Sequence, residues 1–414
     1  MTAPIALRYT EARARVLGAV RRLPAETVAL RDAVGRALRE PVHAPHPLPP
    51  FRNSAMDGFA VRSADLAHAS AAHPVTLRVH EVLAAGTTSA RPLHEGEAAR
   101  IMTGAMPPAG ADAVIAFEDC ERGGTEADEH CIVRTPVNAG QHLREAGADL
   151  AAGALALAAG TSLDARHLAL PAALGAATLV VGARPRVAVF STGDELLPLG
   201  APLRAGAVRD SNGTMLAQLV EEAGGVCATL AHLPDDPAQV AQALRRALAE
   251  HDVVLTIGGV SAGDFDPVKL AIAGIGDLES WRVAMRPGRP QAFGTVGDAL
   301  FFGLPGNPAS VVCVFEALVR PALRVMQGFA ELDRPRVPVR CGTPIASREG
   351  RTDFVRVTLA WHEGQLVATP AGAQVSGHLT PQARAHALLV VPEAAESLAR
   401  NDPAEAFIVS CPSA

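Results

Sequence analysis

At 414 residues the chain is longer than one hydrophobic core usually organises, so roughly two to four domains are expected. Hydrophobic residues make up 49% and charged ones 19%, and apolar stretches such as 165–181 are broken by Arg166, His167 and Pro171, leaving nothing suited to span a bilayer. A formal charge of −6 without a basic block argues against nucleic acid as the main partner, and MTAPIALRYTEARARVLGAVRR lacks the clean apolar run of a secretory signal, so a cytoplasmic protein is expected.

In chain order, helical patterns over residues 8–38 and 162–176 bracket a stretch, 42–150, rich in Pro, Gly and short β-like runs. This predicts a discontinuous helical domain (1–41 and 151–182) carrying a mostly β insertion (42–150). From Arg186 the pattern changes. RVAVFSTGDEL reads as a strand opening into a loop, and Asn212 is placed to cap a helix through about Ala223 that stops at Gly224 and Gly225. VCATLAHL is the next strand. Asp236 as N-cap and Pro237 at the first helical position then start a helix with Val240, Leu244 and Leu248 on one face, followed by the strand DVVLTIGG. ALFFGLPGNPASVVCVFEAL repeats strand, turn and helix. Such alternation predicts a doubly wound α/β domain over 183–328 with a parallel sheet, whose ligands bind beyond the strands' carboxyl ends. The remainder, 329–414, gives short strands in PVRCG, FVRVTLAWH, QLVATP, ALLVVP and AFIVS, hence a small β-barrel or sandwich. The fold class is therefore multidomain, α/β plus β.

Three loops at strand ends should converge: STGDEL with Ser191 and Gly193, GGVSAGDFD with Gly258, Gly259 and Ser261, and GLPGNPAS with Pro305, Gly306 and Asn307. Glycine lets backbone N–H groups approach an anion, and a helix start adds partial positive charge, so the crevice suits phosphate; taken singly these are ordinary turns. The same loops carry Asp194, Glu195, Asp264 and Asp266, with Asp235 and Asp236 one strand over. Carboxylates facing an anion call for a cation, and Mg²⁺ fits one or two carboxylates plus phosphate oxygens. Glu195 and Asp266 read as functional, Asp236 as a helix cap. In WRVAMRPGRP, Arg282, Arg286 and Arg289 surround a Pro-Gly turn, offering forked donors to oxyanions or forming only an exposed turn. The six cysteines are too scattered for a zinc site or disulfide framework, and His43 and His46 read as surface loop. PPFRNSAMDGFAV and ARIMTGAMPPAGADAVIAFED are small, rigid polar loops that alone identify no substrate.

Together the blocks NSAMDGFAV, MTGAMPPAGADAV, STGDEL, DSNGTML, GGVSAGDFD, RPGRPQAFG, GLPGNPAS, DFVRV and QVSGH, in this order through nearly the whole chain, resemble the MoeA family of molybdopterin molybdenumtransferases, found also as one domain of gephyrin-like fusion proteins. The resemblance implies four domains, with 183–328 the molybdopterin-binding one, and a homodimer whose cleft combines both subunits. It implies insertion of molybdenum from molybdate into adenylylated molybdopterin with release of AMP. Carried over residue by residue, Asp57, Thr103, Glu195 and Asp266 become candidates for catalysis and molybdate handling, and Asp235 matches an acidic family position. Glu195, Asp235 and Asp266 are then the candidate metal ligands, with Mg²⁺ the cofactor. Arg356 of DFVR and Ser376 of QVSGH match positions lining the cleft. Arg282 and Arg286 stand where relatives often carry lysines, and Phe59 where tyrosine is usual.

Two other readings fit part of the pattern. An adenylyltransferase on the same α/β fold would bind ATP and molybdopterin, but the additional N- and C-terminal domains argue against it; such an adenylyltransferase is a candidate partner instead. A non-catalytic scaffold, as in gephyrin-like relatives, would bind receptor tails, though no separate partner domain is visible here.

Overall fold

Runs such as Val187 to Phe190, Val253 to Ile257 and Ala299 to Leu304 are buried at every position and apolar at all but Thr256, the pattern of strands buried on both faces. In a computed structural model, which describes residues 4–125, 128–260, 267–273 and 275–410, they form the centre of one sheet. Its order is Val226–Leu233, Arg186–Thr192, Val253–Ile257, Ala299–Leu304, Pro290–Val296, Asp277–Arg286 and, last, Ile5–Arg8. The first four are mutually parallel; Pro290–Val296 runs antiparallel to its neighbours on either side. The expected parallel sheet thus gains an antiparallel flank, because RPGRP is not an isolated arginine turn but the hairpin between two strands.

Alternation along each strand divides the core in two. Val187, Val189, Val253, Leu255, Phe302 and Leu304 pack with Leu216 and Val220 of the helix Ser211–Glu222, Val16 of Tyr9–Ala19, and Val311, Phe315 and Leu323. Ala188, Phe190, Val254 and Phe301 face Val240, Leu244 and Leu248 of the helix Pro237–Glu250 and Val268 and Ile272 of Pro267–Ile272. Helices therefore cover both faces.

Five further strands close into a barrel in the order Thr352–His362, Gln365–Pro370, Arg336–Cys341, Pro403–Ile408, Ala387–Val391 and back to the first. Its interior holds Val339, Cys341, Val357, Leu359, Leu389 and Ala406. Phe354, Leu388 and Phe407, from the alternate positions, join the core of the α/β sheet instead. A short parallel bridge, Met285 to Thr352 and Arg286 to Asp353, makes sheet and barrel one ladder.

The helical patterns at the start were read too long. Residues 8–38 give one α-helix, Tyr9–Ala19, and a single 3-10 turn, Leu30–Asp32, between which the β-branched Thr27 and Val28 enter the strand Ala25–Ala29, paired antiparallel with Thr178–Gly182. Over 162–176 only Ala169–Ala173 is helical, ended by Gly175 at a φ of 84°. The cap of Ser211–Glu222 is Asp210, which accepts from Gly213 N at 2.8 Å, and not Asn212.

By packing the chain divides into two units. Met1–Glu40, Ala159–Asp164 and Thr178–Ala414 contain everything above except the helix Ala169–Ala173. Pro41–Ala158 and Ala165–Ala177 form the second unit, built on a six-stranded sheet in the order Ala113–Ala116, Gly58–Val61, Glu97–Ile101, Val75–Leu83, Asp128–Val133 and Glu121–Thr125. Phe59, Val61, Leu77 and Ile115 pack on one face of that sheet, Ala60, Leu83, Ile101 and Val114 on the other.

Candidate functional site

Beyond the carboxyl ends of the parallel strands lies a crevice of about 1020 Å³. Gly193, Glu195, Asp235, Gly258, Gly259, Gly306 and Asn307 all line it, so the three glycine turns do converge. Cross-links between the turns fix their spacing. Thr192 Oγ1 donates to Ile257 O at 3.2 Å, Gly258 N to Leu304 O at 2.9 Å, and Asn212 Nδ2 to Gly306 O at 2.7 Å. A Cβ built on Gly306 would stand 3.7 Å from Gly258 Cα, so the two turns meet backbone to backbone.

Asp194 and Asp235 brace each other: Asp194 N donates to Asp235 Oδ2 at 3.3 Å and Asp235 N to Asp194 Oδ1 at 3.2 Å. His232 Nε2 lies 2.8 Å from Gly193 O. Asp236 is the helix cap that its sequence context indicates, accepting from Ala238 N at 2.8 Å and Gln239 N at 3.2 Å. Ser191 is wholly buried and does not line the crevice; its Oγ packs where a side chain on Gly213 would begin. Ser261 and Asp266 lie outside the described residues. Among the described residues no three acidic, histidine or cysteine side chains gather as a metal cage. Glu195 and Asp235, two exposed carboxylates on one crevice, suit a cation that completes its shell with phosphate oxygens and water, as Mg²⁺ does.

A second cavity of about 1070 Å³ lies where the α/β sheet meets the barrel. Arg286, Pro305, Asn307, Arg356 and Ser376 line it, so the GLPGNPAS turn serves both spaces and Asn307 belongs to each. Gly288 shapes the RPGRP hairpin: its φ is 108°, and a Cβ there would fall 2.5 Å from Val314 Cγ2. Gln291, buried beneath, donates to Gly288 O at 2.6 Å. Arg286 is about half exposed and reaches Asp353 only at 3.9 Å, which leaves its fork available. Arg282 lies within the strand and lines neither cavity.

Arg356 is 2% exposed, and its terminal nitrogens donate to His378 O at 2.9 Å, Val375 O at 3.0 Å and Ala373 O at 3.3 Å. Burial pulls its pKa below the ordinary arginine value. The side chain thus also holds the segment bearing Ser376 in shape. Arg289, Arg348 and Arg351 also line this cavity. Sequence reading missed the last two, although SREGRTD places arginines on both sides of Gly350, a turn glycine with a φ of 85°. Arg351 Nε contacts the buried Asp353 carboxylate at 2.8 Å.

Asp57 and Thr103 belong to the other unit, where they meet: Thr103 N and Thr103 Oγ1 each donate to Asp57 Oδ1 at 2.7 Å. These two bonds, the backbone one first, hold the Asp57 carboxyl below the ordinary aspartate range. The loops are tied by Gly104 N to Ser54 O at 2.8 Å, and Phe117 N donates to Asp57 O at 3.2 Å.

The chain matches the MoeA N-terminal region (domain I and II) over residues 7–175, a probable molybdopterin binding domain over 188–325 and the MoeA C-terminal region (domain IV) over 338–408. It is 39% identical over 373 residues to molybdopterin molybdenumtransferase 2 of Mycobacterium tuberculosis, covering 89% of this chain and 91% of that one. The molybdopterin molybdenumtransferase of Bacillus subtilis is 34% identical over 373 residues, 89% of this chain and 86% of its own. A crystal structure of the MoeA molybdopterin biosynthesis protein of Pyrococcus horikoshii aligns with a TM-score of 0.85 at 29% identity, over 97% of this chain and 100% of that one. On sequence, order of regions and fold alike, the chain belongs to the MoeA family.

Proposed function

We propose that this protein is a molybdopterin molybdenumtransferase, inserting molybdenum from molybdate into adenylylated molybdopterin and releasing AMP. Beyond family membership, the observation that carries this reading is the pairing of two adjoining cavities. One is made of glycine turns and carboxylates, and the other bears Arg286, Arg289, Arg348 and Arg351. The phosphates of the substrate lie at Gly193, Gly258, Gly259 and Gly306, whose backbones leave room for oxyanions. Molybdate is drawn to the arginines, among them Arg286, half exposed and only loosely paired with Asp353, with Ser376 in the wall of the same cavity. The substrate's two dithiolene sulfurs then bind the metal, their thiol protons leaving with one molybdate oxygen as water, and water cleaves the phosphoanhydride bond so that AMP leaves and the other phosphate stays on the pterin.

Glu195 and Asp235 would hold Mg²⁺, which would offset charge on the phosphates. No side chain is needed as a covalent nucleophile, so the protein's contribution is orientation and electrostatic complementarity. Asp57, kept ionised by Thr103, is the acidic group we assign to molybdate handling on the second unit. The same reading makes the working form a cytoplasmic homodimer; no helix among the described residues is long and apolar enough to cross a membrane. The test is an insertion assay with purified adenylylated molybdopterin and molybdate, following AMP. AMP release that depends on molybdate supports the assignment, and no release with this substrate overturns it. Sedimentation of the active protein as a monomer would overturn the dimer.

A further inference from the structure

Cys313 and Cys341 are buried in separate cores and Cys227 packs at the edge of the first, but Cys120 and Cys131 share one core in the second unit. In the antiparallel pair Glu121–Thr125 and Asp128–Val133, Cys131 stands opposite Arg122, so these two side chains lie on one face. Cys120 is two residues before Arg122 and extended, with φ −144° and ψ 159°, which puts its side chain on that same face, diagonal to Cys131. This is the face packed with Phe59, Leu77 and Ile115. Cys131 is wholly buried there, while Cys120 packs on it from the margin, partly open to solvent. Cys120 also lies one place outside the ladder, whose last pair is Glu121 with Ile132, so it can shift without breaking a strand pairing. The hydrogen bond between the two thiols holds the Cys120 pKa below the ordinary cysteine value, helped by Arg122, and the same bond together with burial pushes that of Cys131 up. An accessible, acidified thiol beside a buried one is the arrangement of an attacking and a resolving cysteine.

We infer that Cys120 and Cys131 form a reversible disulfide when the chain meets hydrogen peroxide, and that this bond slows the insertion reaction through Asp57, the second half resting on the role proposed for Asp57. The Cys120 thiolate attacks one peroxide oxygen; the S–O bond forms, the O–O bond breaks, and the other oxygen leaves as water once protonated. Cys131 Sγ then attacks the Cys120 sulfenic acid; the S–S bond forms, the S–O bond breaks, and hydroxide leaves as water with the Cys131 proton. Two thiols are oxidised and one peroxide is reduced to two waters. Drawing Cys120 toward Cys131 pulls on the 3-10 turn Phe117–Asp119 that precedes it. Phe117 N donates to Asp57 O at 3.2 Å and its ring meets Phe59 edge-on at 5.3 Å, so the turn that moves is the one that holds Asp57.

The test oxidises the full chain with a small excess of hydrogen peroxide and maps its tryptic peptides without reductant. Trypsin cuts after Arg122, between the two cysteines, so their peptides stay joined only through sulfur. The wild type should yield the joined pair, dithiothreitol should part it, and Cys227, whose pKa burial raises, should remain a free thiol. Cys120→Ser should give no joined peptide, and Cys131→Ala should leave a sulfenic acid at Cys120 that dimedone traps. Oxidised wild type should release AMP about tenfold more slowly and recover on reduction, whereas Cys120→Ser should keep its rate in peroxide. Absence of the joined pair, or peroxide joining other cysteines in preference, would overturn the inference. A joined pair with unchanged AMP release would overturn its coupling to Asp57. Mapping needs no substrate, so an untreated chain that releases no AMP would count against the proposed reaction and not against the thiol pair.

Discussion

Thr103 gives Asp57 two donors, and the sign of their effect on pH follows directly. The folded pKa is lowered, so the stabilisation is present above the unfolded aspartate value and is lost as pH falls through the folded one. Thr103→Val removes the hydroxyl and keeps the backbone donor, so the carboxyl should move part of the way back up, read by an NMR titration of the Asp57 carboxyl carbon. No movement would show that the hydroxyl is idle. Asp57 is charged at neutral pH in either protein, so any loss of AMP release in this variant reports aim and not charge. Arg286 allows the complementary test. Arg286→Ala should weaken molybdate binding by about 1.5 to 3 kcal/mol, as for a lost charged hydrogen bond, and raised molybdate should restore turnover. Arg286→Lys should stay within a few-fold if charge suffices; an alanine variant with wild-type affinity would return RPGRP to a solvated hairpin. Residue roles were legible where local chemistry decided them, as with Asp236. They were not where a side chain's partners are distant in sequence: Arg356 spends its donors 17 to 22 residues away, and Asp210 displaces Asn212 because only its geometry reaches Gly213 N.

Among elements, adjacent aspartates at the start of Pro237–Glu250 should separate stability from activity. Asp236→Ala should lower unfolding stability by about 1 kcal/mol, measured by urea denaturation, with AMP release unchanged. Asp235→Ala should do the reverse, losing AMP release with little change in the denaturation midpoint; equal behaviour of the pair would undo the division. Gly58 makes a sharper case. A Cβ there would lie 1.8 Å from Ile115 O, so Gly58→Ala should force apart the strands Gly58–Val61 and Ala113–Ala116 at a cost of about 3 kcal/mol, visible as lost amide protection in both. The βαβ elements could be read from sequence because their strands carry apolar runs such as Val187 to Phe190 and because Asp236 with Pro237 marks a helix start. The flanking pair Asp277–Arg286 and Pro290–Val296 escaped because charged residues interrupt the first strand and proline and glycine the second, and the early helices were overextended because Thr27 and Val28 find their pairing partner some 150 residues later.

At the scale of the molecule, Phe354, Leu388 and Phe407 leave the barrel wall to complete the core of the α/β sheet, with Tyr9 packed edge-on to Phe354 at 5.5 Å. Sheet and barrel should therefore unfold together. The two tryptophans report on each part separately, since Trp281 is in the sheet and Trp361 in the barrel. Phe354→Ala should lower the midpoint seen by each, measured with the other replaced by phenylalanine, by the same amount, corresponding to about 3 kcal/mol; a shift at Trp361 alone would show that the barrel melts independently. No periodicity within either segment announces this shared core, because outward and inward positions of a barrel strand look alike when both are apolar. Family blocks in order, by contrast, made the multidomain architecture legible before any fold was seen. Asn307 carries a further consequence. It belongs to the walls of both cavities, so a ligand that shifts it on one side changes the receptor presented on the other. Occupancies of the two spaces are then thermodynamically linked, and the linkage is reciprocal: whatever factor a phosphate ligand imposes on oxyanion affinity, the oxyanion imposes on the phosphate ligand in return.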